Sequence, residues 1–349
     1  MKKPYDEELF TTIRDFLTVF LPKQKCCSPL TIKSYRETIT LLLEFLKQIK
    51  SIPYSNVTFQ LFNNSLVTEF LEWIECIRNC STSTRNQRLA ALKSFFKYAG
   101  IRNPARIACS MEINNIPSKR VPATIVEFLT ENALKTLFQQ PDTTKKLNIR
   151  DQFFMILMYD LAGRNQKILD LSVGDVTVSP KNPYVRITGK GSKQRLVPLM
   201  EKTMKHFQNY LELFHPVEKR RSDDPLFYTI IHGKIHRMSP DNSASFMMRY
   251  GKLAKKICSE VPDQVHPHQL RNSRAIHLYR GGMPMPLLAE YLGHVDIKTT
   301  SVYAYADTEM KRAAILAATN TNQSSEPELP VWRMENDEEF LKILFGFKS

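Results

Sequence analysis

The chain has 349 residues, 42% of them hydrophobic, with a formal net charge of +14 and a pI near 9.4. That length allows about two or three domains, and that apolar content excludes a disordered chain. The basic excess favours a polyanionic partner, either a nucleic acid or an acidic membrane face, over a basic soluble enzyme without one.

No apolar run approaches the ~20 residues of a membrane span. The start, "MKKPYDEELF", is not followed by the apolar core of a signal peptide. Six cysteines are present, and Cys76 and Cys80 sit four apart without further ligands at metal spacing. They read as reduced thiols of a cytoplasmic protein.

Residues 1–113 read as a helical bundle. A first helix is expected over about 6–20. Ile32, Tyr35, Ile39, Leu42, Leu43 and Leu46 recur at helical spacing, as do Val67, Phe70, Leu71, Ile74 and Ile77, and then Leu89, Leu92, Phe95 and Phe96. Thr84 and Gln87 have capping-box spacing before the third run. Four or five helices with short connections follow.

Residues 114–126 break the pattern with prolines and the basic pair Lys119–Arg120, as a linker would. Over 127–318, "ENALKTLF" and "IRDQFFMILMYDLAG" resume the helical period. "PYVRITGKGSKQRLVPL" reads as a hairpin about a Gly-Lys-Gly-Ser turn. Helices are expected near 200–214, 240–258, 268–280, 284–292, 296–304 and 308–318. A polar break then precedes "DEEFLKILFGF", an amphipathic end to the segment 319–349. The expected fold is mainly α: a helical bundle, then a mostly helical domain with one small antiparallel sheet.

Four clusters could carry chemistry: Arg164 in "YDLAGRNQKILDL"; Lys190 in the hairpin turn; His268 and Arg271 in "HPHQLRNS"; His294 and Tyr303 in "LGHVDIKTTSVYAYA". Singly, each has an ordinary structural reading. Together they suit one reaction. Two arginines can fork onto phosphodiester oxygens. A lysine can protonate a leaving oxygen, and a phenol is a competent nucleophile for phosphorus. No carboxylate cluster offers a two-metal site, and "GKGSK" lacks the spacing of a nucleotide-binding P-loop.

This ordered set strongly resembles the tyrosine recombinase (phage integrase) family over about residues 150–306. "STRNQRLAALKSFFKYA" is similar to a helix of that family's SAM-like core-binding domain. The resemblance implies a catalytic set of Arg164, Lys190, His268, Arg271, His294 and the nucleophile Tyr303, with His266 outside it. It implies cleavage through a 3′-phosphotyrosine and exchange through a Holliday junction, with neither metal nor cofactor. The implied partners are double-stranded recombination sites, clamped between the two domains, and a homotetramer on DNA, with room for accessory proteins encoded by the same element. The C-terminal helix is expected to dock on a neighbouring protomer, its own domain being the alternative. Arg85, Asn86, Arg88, Lys93, Lys119 and Arg120 are candidate DNA contacts.

Two positions depart from the family pattern. Lys167 stands where an acidic residue is usual, and Asn272 where histidine is frequent. The chain begins close to its core-binding helices, which leaves little room for an arm-binding domain. That short start, the high charge and Lys167 lean towards a mobile-element recombinase. The alternatives are a chromosome-dimer resolvase, a type IB topoisomerase-like enzyme and a catalytically weak architectural protein.

Overall fold

The computed structural model describes residues 6–121, 126–179, 181–189, 194–293 and 298–306. The internal contacts divide the chain between residues 124 and 125 into two compact units.

The first unit is helical. Helix α1 (Glu7–Asp15) starts at Asp6, whose carboxylate accepts from the Leu9 amide. A π-helical stretch, Phe16–Gln24, continues it. Pro22 lies inside this stretch and has no amide hydrogen to give an α-type bond, which favours a local change of winding. Helix α2 (Pro29–Gln48) is capped by Ser28, α3 (Asn64–Cys76) by Asn63 and α4 (Thr82–Arg102) by Ser81. A short α5 (Ile107–Asn114) closes the series. The expected capping box at Thr84 and Gln87 is corrected: the helix begins one turn earlier, and the Ser81 hydroxyl accepts from the Thr84 amide.

The periodic residues meet in one aromatic core. Phe16, Phe45, Phe70 and Phe96 are almost wholly buried. Phe95 packs edge-on against both Phe16 and Phe96, with centroids 5.4 and 5.1 Å apart.

In the second unit, α6 (Glu131–Phe138) precedes α7 (Lys146–Leu161), which packs against five other helices and is buried on several sides. A short α8 (Asn165–Leu169) leads to β1 (Val176–Thr177), β2 (Tyr184–Thr188) and β3 (Gln194–Pro198), an antiparallel sheet in that order. Then come α9 (Glu201–Phe214), β4 (Tyr228–Ile231), β5 (Lys234–Arg237) and α10 (Pro240–Lys255). Helices α11 (Pro267–Arg280), α12 (Met285–Leu292) and α13 (Lys298–Ala306) complete the described part.

One sheet was expected, and the described residues form two. The β4–β5 hairpin turns at His232 and Gly233, both at positive φ (48° and 73°), as a tight two-residue turn demands. Ile230, Ile231 and Ile235 are exposed, and the hairpin has no buried face. Without a buried face there is no apolar–polar alternation to read.

The core of this unit centres on Phe153, Phe154, Tyr210 and Phe227. Tyr210 stacks on Phe153 at 4.9 Å and donates its hydroxyl to the Leu226 carbonyl at 2.6 Å. His215 is buried beside it, with Nε2 at 3.0 Å from the same carbonyl. Burial holds the imidazoles of His206, His215 and His277 below the ordinary range. The unfolded chain therefore takes up these protons first as pH falls. The stabilisation is complete above the unfolded value, about 6.5, and is lost as pH drops through the depressed folded values. The urea midpoint of the intact protein should be lower at pH 5.5 than at pH 7.5. His215→Gln should shrink that difference.

Candidate active site

Helix α7 ends with Ala162 in the left-handed region (φ 44°). Gly163 follows in close contact: a Cβ there would stand 2.3 Å from the Ile168 side chain. This elbow delivers Arg164 as the exposed cap of α8. Helix α11 begins at Pro267, with His266 and Gln269 forming a reciprocal capping box. Pro267 suits a first-turn position because its missing amide hydrogen is not needed there. His268 and Arg271 lie one turn apart on this helix. His268 is exposed, and Arg271 is 1% exposed.

Arg271 reaches across the unit. Its guanidinium donates to the Ala162 carbonyl, at the end of α7, and to the Leu292 carbonyl at 2.9 Å, at the end of α12. It also hydrogen-bonds Tyr303 of α13. Tyr303 is 4% exposed and sits in a small apolar cluster with Ala162, Ala275, Ile276, Leu288 and Leu292. Its hydroxyl donates to Asn272 Oδ1 at 3.2 Å. The side chain of Tyr305 lies outside the described residues.

A further arginine enters from the sheet. Arg195 of β3 shares a strand face with Val197 and Leu199 and donates to the Tyr291 carbonyl. Arg195 and Arg271 thus bond successive carbonyls at the C-terminal end of α12, where the helix dipole favours positive charge. Gly293 follows at φ 65°, and a Cβ on it would meet Arg195 Nη1 at 2.9 Å. Sequence reading quoted Arg195 but gave it no role. A cation on the inward face of a strand was the available signal.

The electrostatics form one neighbourhood. Burial lowers Arg271 to about 10, with Arg164 and Arg195 acting in the same direction against Tyr303. Burial lowers Arg195 to about 10, and Arg164 adds to it. Both remain cations at neutral pH. Although His268 keeps solvent access, desolvation of its ring by the surrounding protein, then the Arg271 cation, holds it below the usual imidazole range, which favours the neutral form near pH 7. Burial raises the Tyr303 phenol, and Arg271 and Arg164 oppose that shift. Backbone carbonyls satisfy guanidinium donors without cancelling their charge. The site therefore retains a positive field suited to an anion.

Arg164, His268, Arg271 and Tyr303 are brought into this neighbourhood. Lys190 and His294 lie outside the described residues. Lys167 pairs with Asp170 at 3.4 Å. Behind the site, Arg274 donates to buried Asp160 at 3.1 Å and lies over the Tyr159 ring. Among the described residues no group of three or more His, Cys, Asp or Glu could hold a metal ion.

The candidate DNA contacts of the first unit divide. Arg85 is corrected: it is 4% exposed and its guanidinium bonds the Pro117 carbonyl and Asn86, so it holds the chain after α5 rather than a ligand. Asn86 bonds both the amide and the carbonyl of Lys119. Arg88 spans from α4 to Ser34, Glu37 and Thr38 of α2. Lys119 is exposed and pairs with Glu75, Lys93 is half-exposed and Arg120 is exposed. Helical spacing located α4 but could not show which of its side chains pack inward.

Arg195→Ala should destabilise the protein by about 1–3 kcal/mol, because the Tyr291 carbonyl loses its donor. Gly293→Ala should also destabilise it, and by less in the Arg195→Ala background, since one of its two penalties is gone. A double-mutant cycle by urea denaturation measures this coupling, expected at about 1 kcal/mol; additivity would contradict the contact.

The phage integrase family matches residues 127–310, and the phage integrase N-terminal SAM-like domain matches residues 13–103. A putative integrase/recombinase, y4rC, of Sinorhizobium fredii is 30% identical over 304 residues, 87% of this chain and 89% of that protein. A crystal structure of XerH site-specific recombinase bound to palindromic difH substrate shares the fold, with a TM-score of 0.61, 18% identity and 91% coverage of each chain. The Tn1549 transposon integrase in complex with circular intermediate DNA does so with a TM-score of 0.62, 17% identity and coverage of 86% and 97%. The chain belongs to the phage integrase family, the tyrosine recombinases, which are DNA strand-transferring enzymes.

Proposed function

We propose that this protein is a site-specific DNA recombinase of a mobile element, acting through a 3′-phosphotyrosine intermediate. The observation that carries the reading is the convergence of a buried guanidinium, Arg271, and a buried phenol, Tyr303, within the field of Arg164. The similarity to a protein named an integrase/recombinase supports the mobile-element role.

In this reading Arg164 and Arg271 hold the scissile phosphate. The Tyr303 oxygen forms a bond to phosphorus, and the bond to the 5′ oxygen breaks. His268, neutral at physiological pH, receives the phenolic proton. Lys190 protonates the departing 5′ oxygen, and His294 binds the phosphate. The new phosphodiester conserves the bond energy, so a 5′ hydroxyl from a second site reverses the step without ATP. Two such rounds pass through a Holliday junction in a homotetramer. Residues 1–113 bind DNA, with Lys93, Lys119 and Arg120 as phosphate contacts. Residues 114–126 link that unit to the catalytic domain, 127–318, and residues 319–349 dock on a neighbouring protomer. The protein works in the cytoplasm on double-stranded sites, with element-encoded accessory proteins as further partners.

The test uses duplexes that tile the DNA flanking the gene, each nicked beside the phosphate to be attacked. A covalent protein–DNA adduct should appear on a denaturing gel, persist in Tyr305→Phe and vanish in Tyr303→Phe. An adduct that survives Tyr303→Phe would refute the nucleophile assignment. Relaxation of plasmid lacking these sites, without joining of two sites, would favour a topoisomerase instead.

A further inference from the structure

The residue beside Arg271 contacts the phenol directly. Asn272 Oδ1 accepts from the Tyr303 hydroxyl, and Asn272 Nδ2 donates to the Glu127 carbonyl at 3.2 Å. The second bond fixes the orientation of the amide. A backbone carbonyl can only accept, so the nitrogen must face Glu127 and the oxygen must face Tyr303.

The anchor is itself held. Glu127 Oε2 accepts from Gln269 Nε2 at 2.8 Å, and Gln269 is fully buried. Two residues on, the Leu129 amide donates to Ser273 Oγ at 2.8 Å. The strip from Glu127 to Leu129 is therefore bonded to three side chains of α11 that flank Arg271. The phenol oxygen is bracketed: it receives a bond from Arg271 and gives its own hydrogen to Asn272.

We propose that Asn272 is a positioning residue that holds Tyr303 in a protonated, inward-facing resting geometry through the Glu127-anchored amide. An amide oxygen is too weak a base to keep the proton. The hydroxyl must therefore exchange its bond to Asn272 for one to a true acceptor before the oxygen can attack. Asn272 sets where the phenol waits; it does not take part in the transfer. The consequence for strand cleavage rests on the recombinase reading, whereas the bond itself does not.

Among the described residues, the charged groups facing the phenol are Arg271 of α11 and Arg164 at the start of α8. Both are present in every variant below. The full chain would carry 3,5-difluorotyrosine at position 303, whose more acidic phenol titrates within the pH range a fold tolerates. Fluorine NMR then reads its ionisation without DNA. Asn272→Leu removes the acceptor and should make the phenol roughly three- to tenfold more acidic. Asn272→Asp keeps an acceptor, adds a negative charge and should make the phenol less acidic by a similar factor. Opposite shifts from two substitutions at one position are the signature of a direct bond. A packing role would alter thermal stability without them. Equal titration in all three proteins would overturn the proposal, and Asn272→Asp, nearly the same shape, keeps the test open if Asn272→Leu does not fold. Because no DNA is present, failure of the adduct assay, which tells against the recombinase reading, leaves this measurement readable.

Discussion

The second unit is organised around a buried cation, Arg271. Arg271 is almost inaccessible, yet its donors reach the end of α7, the end of α12 and the phenol of α13. Taking a guanidinium out of water costs several kcal/mol unless its hydrogen bonds are replaced. Here backbone carbonyls replace part of that hydration while leaving the positive charge in place. Three helices distant in sequence are thereby tied to a group whose charge is still available to an anion. Structural cohesion and a positive charge open to an anion draw on the same side chain. A lysine, with one ammonium and no planar fork, could not reach the same set of acceptors.

The second constraint is the C-terminal turn of α12. Arg195 and Arg271 occupy consecutive carbonyls there, one arriving from a strand and the other from a helix. The segment that follows begins with Gly293 in a left-handed conformation under the Arg195 side chain. Strand β3, helix α11 and the end of α12 are thus held by a few short bonds. The distances among the chemical groups follow from that fastening more than from the local propensity of any element.

Much of this was legible in the sequence. Helical patterns placed α2, α3, α4, α7, α9 and α11 within a few residues, because their apolar residues recur at a spacing that a helix brings to a core. The β2–β3 hairpin was legible from its glycine turn between alternating runs. Arg164, His268, Arg271 and Tyr303 stood out as an ordered set before any coordinates. What was not legible depends on partners distant in the chain. Arg85 looks like a surface cation until Pro117 folds back over it. Asn272 looks unremarkable until Glu127 orients it. The β4–β5 hairpin exposes its isoleucines, so its pattern carries no inward face. The π-helical stretch follows from a proline whose effect on winding is set by the packing around Phe16 and Leu21.

The elbow between α7 and α8 has a consequence for how this protein can vary. A methyl group at Gly163 would have to displace the buried Ile168 side chain. Ala162 carries its methyl group in a backbone region that costs about 1–2 kcal/mol to an L-residue, which leaves room only for something smaller or more polar. Drift at these two positions is confined to a very short menu. The exposed turn of α8 just beyond has no such restriction, and it is there that an unusual lysine, Lys167, is accommodated by a neighbouring aspartate. The chain can therefore change its chemistry beside Arg164 while the route that delivers Arg164 stays nearly immutable.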